Sequence, residues 1–326
     1  MKRTESLIIT GAFPDRLNSN VGIRHAIAVG FRKCLAAPDN AVTEVRFEYA
    51  VAAVAERRPD LVLLIGSSYP DLVRYEAIRA ACDRVGSQLV FWMHDDPYEF
   101  DTNYRVCEVA DCIFTSDRWA ARHYSHPRVY HLPLAADPAV FQRPTDGRRS
   151  IDFFFCGIAF ANRIALMRDL TPRIARYHTV VFGEGWPEDL VSMLPGCRNT
   201  RLEPAQFADY CAASRLTLNI GRHLDLANRR FQLPASTPGP RTFEAALAGA
   251  VQLVFVESLE VTEYFEPGEE ILLFDSLDEI APLLDTLRRD SALVRRIAAA
   301  GQRRALTEHT YAHRARQLLR WVDEGR

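Results

Sequence analysis

The sequence predicts an α/β protein of two doubly wound units, and three observations carry that expectation. Short apolar runs alternate with helical stretches through the first 142 residues, a spacing that implies a parallel sheet with helices on both faces. A polar stretch, 143–150, reads as a linker. The apolar run from Ile151 to Cys156 then restarts the pattern, in the manner of a strand buried on both faces. In the first half, strands are expected at 7–10, 42–49, 61–65, 88–92, 112–115 and 129–132, with helices such as 20–35 and 71–85 between them. In the second, strands are expected at 151–156, 179–182, 216–220, 251–256 and 271–274. Helices are expected near 163–170, 277–287, 292–305 and 311–323. The expected division is therefore 1–142, a linker at 143–150, 151–308, and a final helix at 309–326 packing back toward the first unit. The two units are expected to face each other across a cleft.

Composition narrows the classes. Apolar residues make up 48% and charged residues 25% of 326, enough for two buried cores. The longest apolar runs are too short to span a bilayer, and Met1 to Ser6 leads into Leu7 without an apolar leader. A net charge of −2 gives no general attraction to nucleic acid or anionic membrane. Seven cysteines, none in a Cys-x-x-Cys pair, read as reduced thiols of a cytoplasmic protein. Lys2 and Lys33 are the only lysines among 40 basic residues. There is accordingly no Gly-Lys-Ser/Thr phosphate loop, and a phosphate would have to be met by arginine, helix ends or metal.

The most informative segment runs from Thr237 to Val254. Pro238, Gly239 and Pro240 form a stiff loop. A helix follows from Arg241 to Leu247, Gly249 stops it, and an apolar strand comes next. Unpaired first-turn N–H groups and the helix dipole make such a start an anion site. Arg241 adds a fork of donors suited to phosphate, and Glu244, one turn on, can accept from the two hydroxyls of a ribose. An ordinary charge pair at a helix start explains the same two residues.

In open α/β sheets, ligands bind at the carboxyl ends of strands. Three loops of the second half have that position: Gly157 to Arg163, Gly183 to Trp186, and Gly221 to Pro240. Arg163 falls at the start of the helix after the first strand, where a diphosphate would be held. In the first half, the loop after 88–92 carries His94, Asp95 and Asp96, a candidate reaction site; helix or turn capping by an aspartate is the structural alternative. The loop from Gly11 to Asn20 is expected to border the same place. His123-x-x-His126 and His309-x3-His313 lack a further ligand at metal spacing, so no metal site is expected. The arginines of 288–326 number ten against four acids, and a solvated helical face accounts for them.

These residues together resemble the CgeB-like glycosyltransferases of the GT-B fold group, related to the group 1 retaining glycosyltransferases. The resemblance rests on Phe91 to Pro97, Ala110 to Ser116 with Leu132 to Asp137, Asp152 to Gly157, Leu218 to Ile220, and above all Pro240 to Gly249 through Tyr264 to Glu270 and His309 to Arg314. It implies two Rossmann-like domains and transfer of a sugar from a nucleoside-diphosphate donor to an acceptor it does not identify, without cofactor or metal. By the same resemblance, Glu244 holds the donor ribose, Arg163 meets the diphosphate and His94 with Asp95 lines the sugar end of the cleft. The residues themselves add Gly157, Gly183, Asn219 and Arg241 as expected donor-binding positions and Asp96 as a further catalytic candidate. Glu244 matches the last glutamate of a Glu-x7-Glu motif whose first position is Ser236 here, so the motif is incomplete and the stereochemical outcome stays open. Neither a nucleic-acid partner nor a transmembrane segment is expected.

Two other classes compete. A non-catalytic nucleotide-sugar-binding or scaffold protein that kept the fold is favoured by Ser236. A nicotinamide-dependent oxidoreductase would need a glycine-rich first turn, which neither Gly11 to Asn20 nor Gly157 to Arg163 supplies.

Overall fold

A computed structural model describes residues 4–17, 21–35, 41–68, 75–224, 226–256 and 259–325. The expected helix starts at 20 and at 71–74, and the end of the loop after the first strand, lie outside the described residues. Two compact units are present: Met1–Leu134 with Asp225–Thr237 and Tyr311–Arg326, and Ala135–Leu224 with Pro238–Thr310. The boundary thus falls at 134/135 rather than at 142–150, and 225–237, expected in the second unit, folds with the first.

The first unit is a six-stranded, all-parallel sheet in the order β2-β1-β3-β4-β5-β6. Its strands are β1 (Leu7–Gly11), β2 (Val42–Glu44), β3 (Leu61–Gly66), β4 (Gln88–Met93), β5 (Cys112–Thr115) and β6 (Val129–His131). β3 is buried at every position, which explains why its sequence is continuously apolar rather than alternating. The expected strand 42–49 is cut short: a turn of 3-10 helix at Phe47–Tyr49 leads into a helix at Ala50–Arg57, whose Ala50 and Val54 complete the core face. The terminal helix Tyr311–Glu324 packs on helix Val21–Cys34. Gly30 is required there, because a Cβ would lie 2.6 Å from the carbonyl carbon of Tyr311.

The second unit repeats the plan in the order β12-β11-β10-β7-β8-β9, again all parallel. Its strands are β7 (Ile151–Cys156), β8 (Thr179–Phe182), β9 (Cys197–Arg198), β10 (Ser214–Asn219), β11 (Gln252–Phe255) and β12 (Leu272–Phe274). Alternation along β7 divides its aromatics. Phe153 and Phe155 join Met167, Leu170 and Leu284 on one face, and Phe154 joins Phe207, Phe243 and Ala246 on the other. Strand order reverses between β1 and β3 in the first unit and between β7 and β10 in the second. Those are the points where such sheets open a crevice at their carboxyl edge. Among the described residues, no helix is long and apolar enough to cross a membrane.

Candidate functional site

In the second unit the candidate donor residues gather at the carboxyl edge of β7, β8 and β10. Helix Pro240–Leu247 starts from Gly239, whose lack of a side chain leaves the first turn without a side-chain cap, and Pro240 occupies its first position. The helix is fixed by a buried polar network. Asn219 Nδ2 donates to Thr242 Oγ1 at 2.9 Å and to Gln252 Oε1 at 3.1 Å, and Gln252 Nε2 donates to the Thr242 carbonyl at 2.9 Å. Asn219 therefore acts on the helix rather than reaching out with its amide.

Arg241 and Glu244 face each other one turn apart, with Nη1 and Oε2 3.2 Å apart. The Arg241 guanidinium carbon lies over Phe207, 3.9 Å from the ring centroid, a cation–π contact that holds the group in place. Glu244 is 15% exposed. Burial pushes its carboxyl up from the ordinary value, and Arg241 pulls it back. Cys156, half-buried at the end of β7, is close enough for both residues to act on its thiol. Sequence reasoning passed over Cys156 and Phe207, since nothing local marks either of them.

Arg163 is engaged differently from the expectation. Nη1 donates to the Ile158 carbonyl at 3.0 Å, Nε to Gly221 at 3.1 Å and Nη2 to Ile220 at 3.0 Å. It thereby ties the loop after β10 to the loop after β7. The two glycines serve close packing. A Cβ on Gly183, whose φ is +149°, would lie 1.8 Å from the Gly157 carbonyl oxygen, and one on Gly157 would lie 2.8 Å from Arg163 Nη1. Gly157 N donates to Phe182 O and Ala159 N to Glu184 O, both at 2.9 Å, so the three loops converge as expected up to residue 224.

In the first unit, the loop after β4 is held at the carboxyl edge of β3 and β5. His94 N donates to Gly66 O at 3.1 Å, and Ser116 Oγ to His94 O at 3.2 Å. The His94 side chain is only 2% exposed, and its Nδ1 lies 3.1 Å from Asp95 Oδ2. That contact orients the ring through Nδ1; Nε2 makes no hydrogen bond among the described residues.

Asp96 turns inward. Its Oδ2 accepts from Thr115 Oγ1 at 2.6 Å and Tyr124 OH at 2.8 Å. Burial raises its carboxyl to about 7, against the pull of the two hydroxyls and with the help of Asp117 and Asp95. Asp96 is thus an anchor of the loop, while His94 and Asp95 form the polar pair.

Asp117, also missed, is 2% exposed. Its Oδ1 caps helix Arg118–His123 by accepting from Trp119 N at 2.8 Å and Ala120 N at 2.9 Å. Its Oδ2 accepts from Ser236 N at 3.2 Å. The capping role is legible as an aspartate before a helix, but the second role joins residues 119 positions apart. Ser236, where the motif's first glutamate would fall, is therefore tied to the first unit by its backbone. No group of three or more His, Cys, Asp or Glu able to hold a metal occurs among the described residues. His126 engages the Arg128 and Ala110 carbonyls.

Residues 163–320 match the model of a glycosyl transferase-like family. Comparison with curated proteins returns no match. Among solved structures, the chain is similar to Anabaena HepE in complex with UDP and glucose, with 12% identity, 98% of this chain and 100% of that one covered, and a TM-score of 0.61. Sucrose-phosphate synthase from Thermosynechococcus elongatus gives 12% identity, 98% coverage of both chains and a TM-score of 0.61. AviGT4, a glycosyltransferase involved in avilamycin A biosynthesis, gives 14% identity, coverage of 98% and 97%, and a TM-score of 0.62. Two parallel six-stranded sheets flanked by helices make this a GT-B fold.

Proposed function

We propose that the chain is a glycosyltransferase that moves a sugar from a nucleoside-diphosphate donor to an acceptor without a catalytic metal. The observation that carries this reading is the Arg241–Glu244 pair on an uncapped helix start at the carboxyl edge of the second sheet, within the stretch that matches the glycosyl transferase-like family. The UDP and glucose of the HepE structure support a nucleotide-sugar donor and make UDP the first probe.

Glu244 accepts from the ribose hydroxyls. When the glycosidic bond breaks, negative charge grows on the leaving diphosphate. Arg241 and the positive end of the helix dipole stabilise it in a fixed geometry, so no reorganisation is needed at that moment. His94, oriented by Asp95, supplies an imidazole Nε2 for a sugar hydroxyl or for developing charge. Gly157, Gly183, Asn219 and Arg163 shape and hold the loops that receive the donor. The CgeB-like relationship and a cytoplasmic setting belong to this same reading.

Calorimetry with a panel of nucleoside diphosphates, followed by donor turnover with and without chelator, tests it. Binding of a nucleoside diphosphate and chelator-resistant turnover are expected. Absence of any nucleotide binding would end the proposal. Binding without turnover, whatever the acceptor, would select the non-catalytic binder that Ser236 favours.

A further inference from the structure

Residues 226–237 connect β10 to helix Pro240–Leu247 in sequence, yet they fold on the first unit, and the manner of attachment is specific. Ala227 exchanges backbone hydrogen bonds with the loop after β4, donating to Tyr98 O at 2.9 Å and accepting from Asp101 N at 2.7 Å. The Asp101 carboxylate then accepts from three successive N–H groups, those of Arg229, Arg230 and Phe231, at 2.9 to 3.3 Å. Phe231 packs edge-on against buried Phe100, with centroids 5.0 Å apart. The far end of the segment is held by Asp117 and by Thr237 Oγ1, which accepts from Arg118 N at 3.0 Å. The segment is thus fixed at both ends to the carboxyl edge of β4 and β5, beside helix Arg118–His123.

The segment and that helix together display an aromatic and basic face. Phe231 and Trp119 are each 36% exposed, high for rings of their size. Arg230 lies over Phe231 at 5.4 Å and Arg122 over Trp119 at 5.0 Å. His123, on the same helix as Trp119, is exposed and also meets Phe100 edge-on, with centroids 6.5 Å apart. Neither Arg122 nor Arg230 forms an ion pair among the described residues. The two carboxylates that anchor this segment, Asp101 and Asp117, accept backbone N–H groups.

We propose that this face recognises an acidic saccharide, the acceptor of the transfer reaction. Exposed rings offer a flat apolar surface to the C–H face of a pyranose, and an arginine stacked on each ring leaves its N–H edge free for a carboxylate. The segment is ordered by its backbone, so the face is preorganised and little ordering cost remains on binding. The acceptor role rests on the glycosyltransferase reading; the binding itself is measured separately.

The test is calorimetric titration of the full chain, in the absence of nucleotide, with a tetrasaccharide of uronic acids and with a neutral glucose tetrasaccharide. The acidic tetramer should bind, the neutral one at least tenfold more weakly, and the preference should shrink as salt rises. Arg122→Gln and Arg230→Gln should each weaken the acidic tetramer about tenfold while leaving the melting temperature and its shift by UDP unchanged. Equal binding of the two tetramers, no binding of the acidic one, or indifference to both substitutions would overturn the proposal. So would tighter binding of a single-stranded oligonucleotide or of anionic phospholipid vesicles. If UDP fails to bind while the acidic tetramer binds as described, the donor reading falls and the saccharide face stands.

Discussion

Glu244 and Asp96 are desolvated carboxylates at the carboxyl edges of the two sheets, and their surroundings set them to different tasks. Glu244 faces the guanidinium of Arg241, a full charge that opposes the cost of burial. Asp96 faces only the hydroxyls of Thr115 and Tyr124, with two further carboxylates nearby, and is raised to about 7. A charge partner opposes the desolvation of a buried acid directly, whereas two hydroxyls offset it only in part, so Asp96 stays raised and serves as a structural anchor. The first arrangement suits binding and the second suits positioning.

The largest effect separates His94 from its anchor. His94→Ala should lower turnover by about 10²–10⁴-fold, the range for a positioned acid or base, with UDP affinity barely changed. Steady-state kinetics beside calorimetry checks both halves, and intact turnover would move the role to Asp95.

Next comes Glu244→Ala, which should weaken UDP by roughly 1.5–3 kcal/mol, the range for hydrogen bonds to a charged group. The fold should survive, because the residue lies at the sheet edge. An unchanged UDP affinity would reduce Arg241 and Glu244 to an ordinary helix charge pair.

Asp96 gives a signature in pH rather than in binding. Its folded carboxyl is raised above the unfolded value, so its contribution to stability is fully present below about pH 4 and is lost as pH rises through about 7. Asp96→Asn should remove that decline, and the variant should gain on the parent chain by about 1.4 kcal/mol for each unit of raised pKa. Urea titrations at pH 5 and pH 8 decide it; parallel curves would mean that Asp96 stays ionised.

The smallest effect concerns Arg163. Three of its donors hold backbone carbonyls, so Arg163→Gln should weaken uridine and UDP by similar, modest factors. A loss confined to UDP would return Arg163 to the diphosphate, as the family resemblance implies.

Much of this molecule was readable locally. The strands β5, β7 and β8 fall where their largely apolar runs predict, because strands covered on both faces read as near-continuous apolar stretches. The helix start at Pro240 and its Arg241–Glu244 pair were legible for the same kind of reason: proline, glycine and a charge one turn apart act over a few residues. Contacts between distant residues left no such mark. Arg149, in the polar stretch read as a linker, is buried and donates to Ser214 O at 2.5 Å and Gly249 O at 2.8 Å. Arg163 carries the pattern of a phosphate ligand and the geometry of a loop clamp.

The sequence by itself determined two doubly wound sheets, the loops at their carboxyl edges and the residue types those loops present. Hydrophobic periodicity and turn chemistry are short-range and survive in a linear reading. Only the tertiary structure decided that 226–237 folds on the first unit, that Asp117 serves both a helix start and Ser236, and that Asp96 turns inward while His94 keeps Nε2 open. Each of these depends on where a buried polar group finds its partner. That partner lies 19 residues away for Asp96 and 119 for Asp117, beyond the reach of any local pattern.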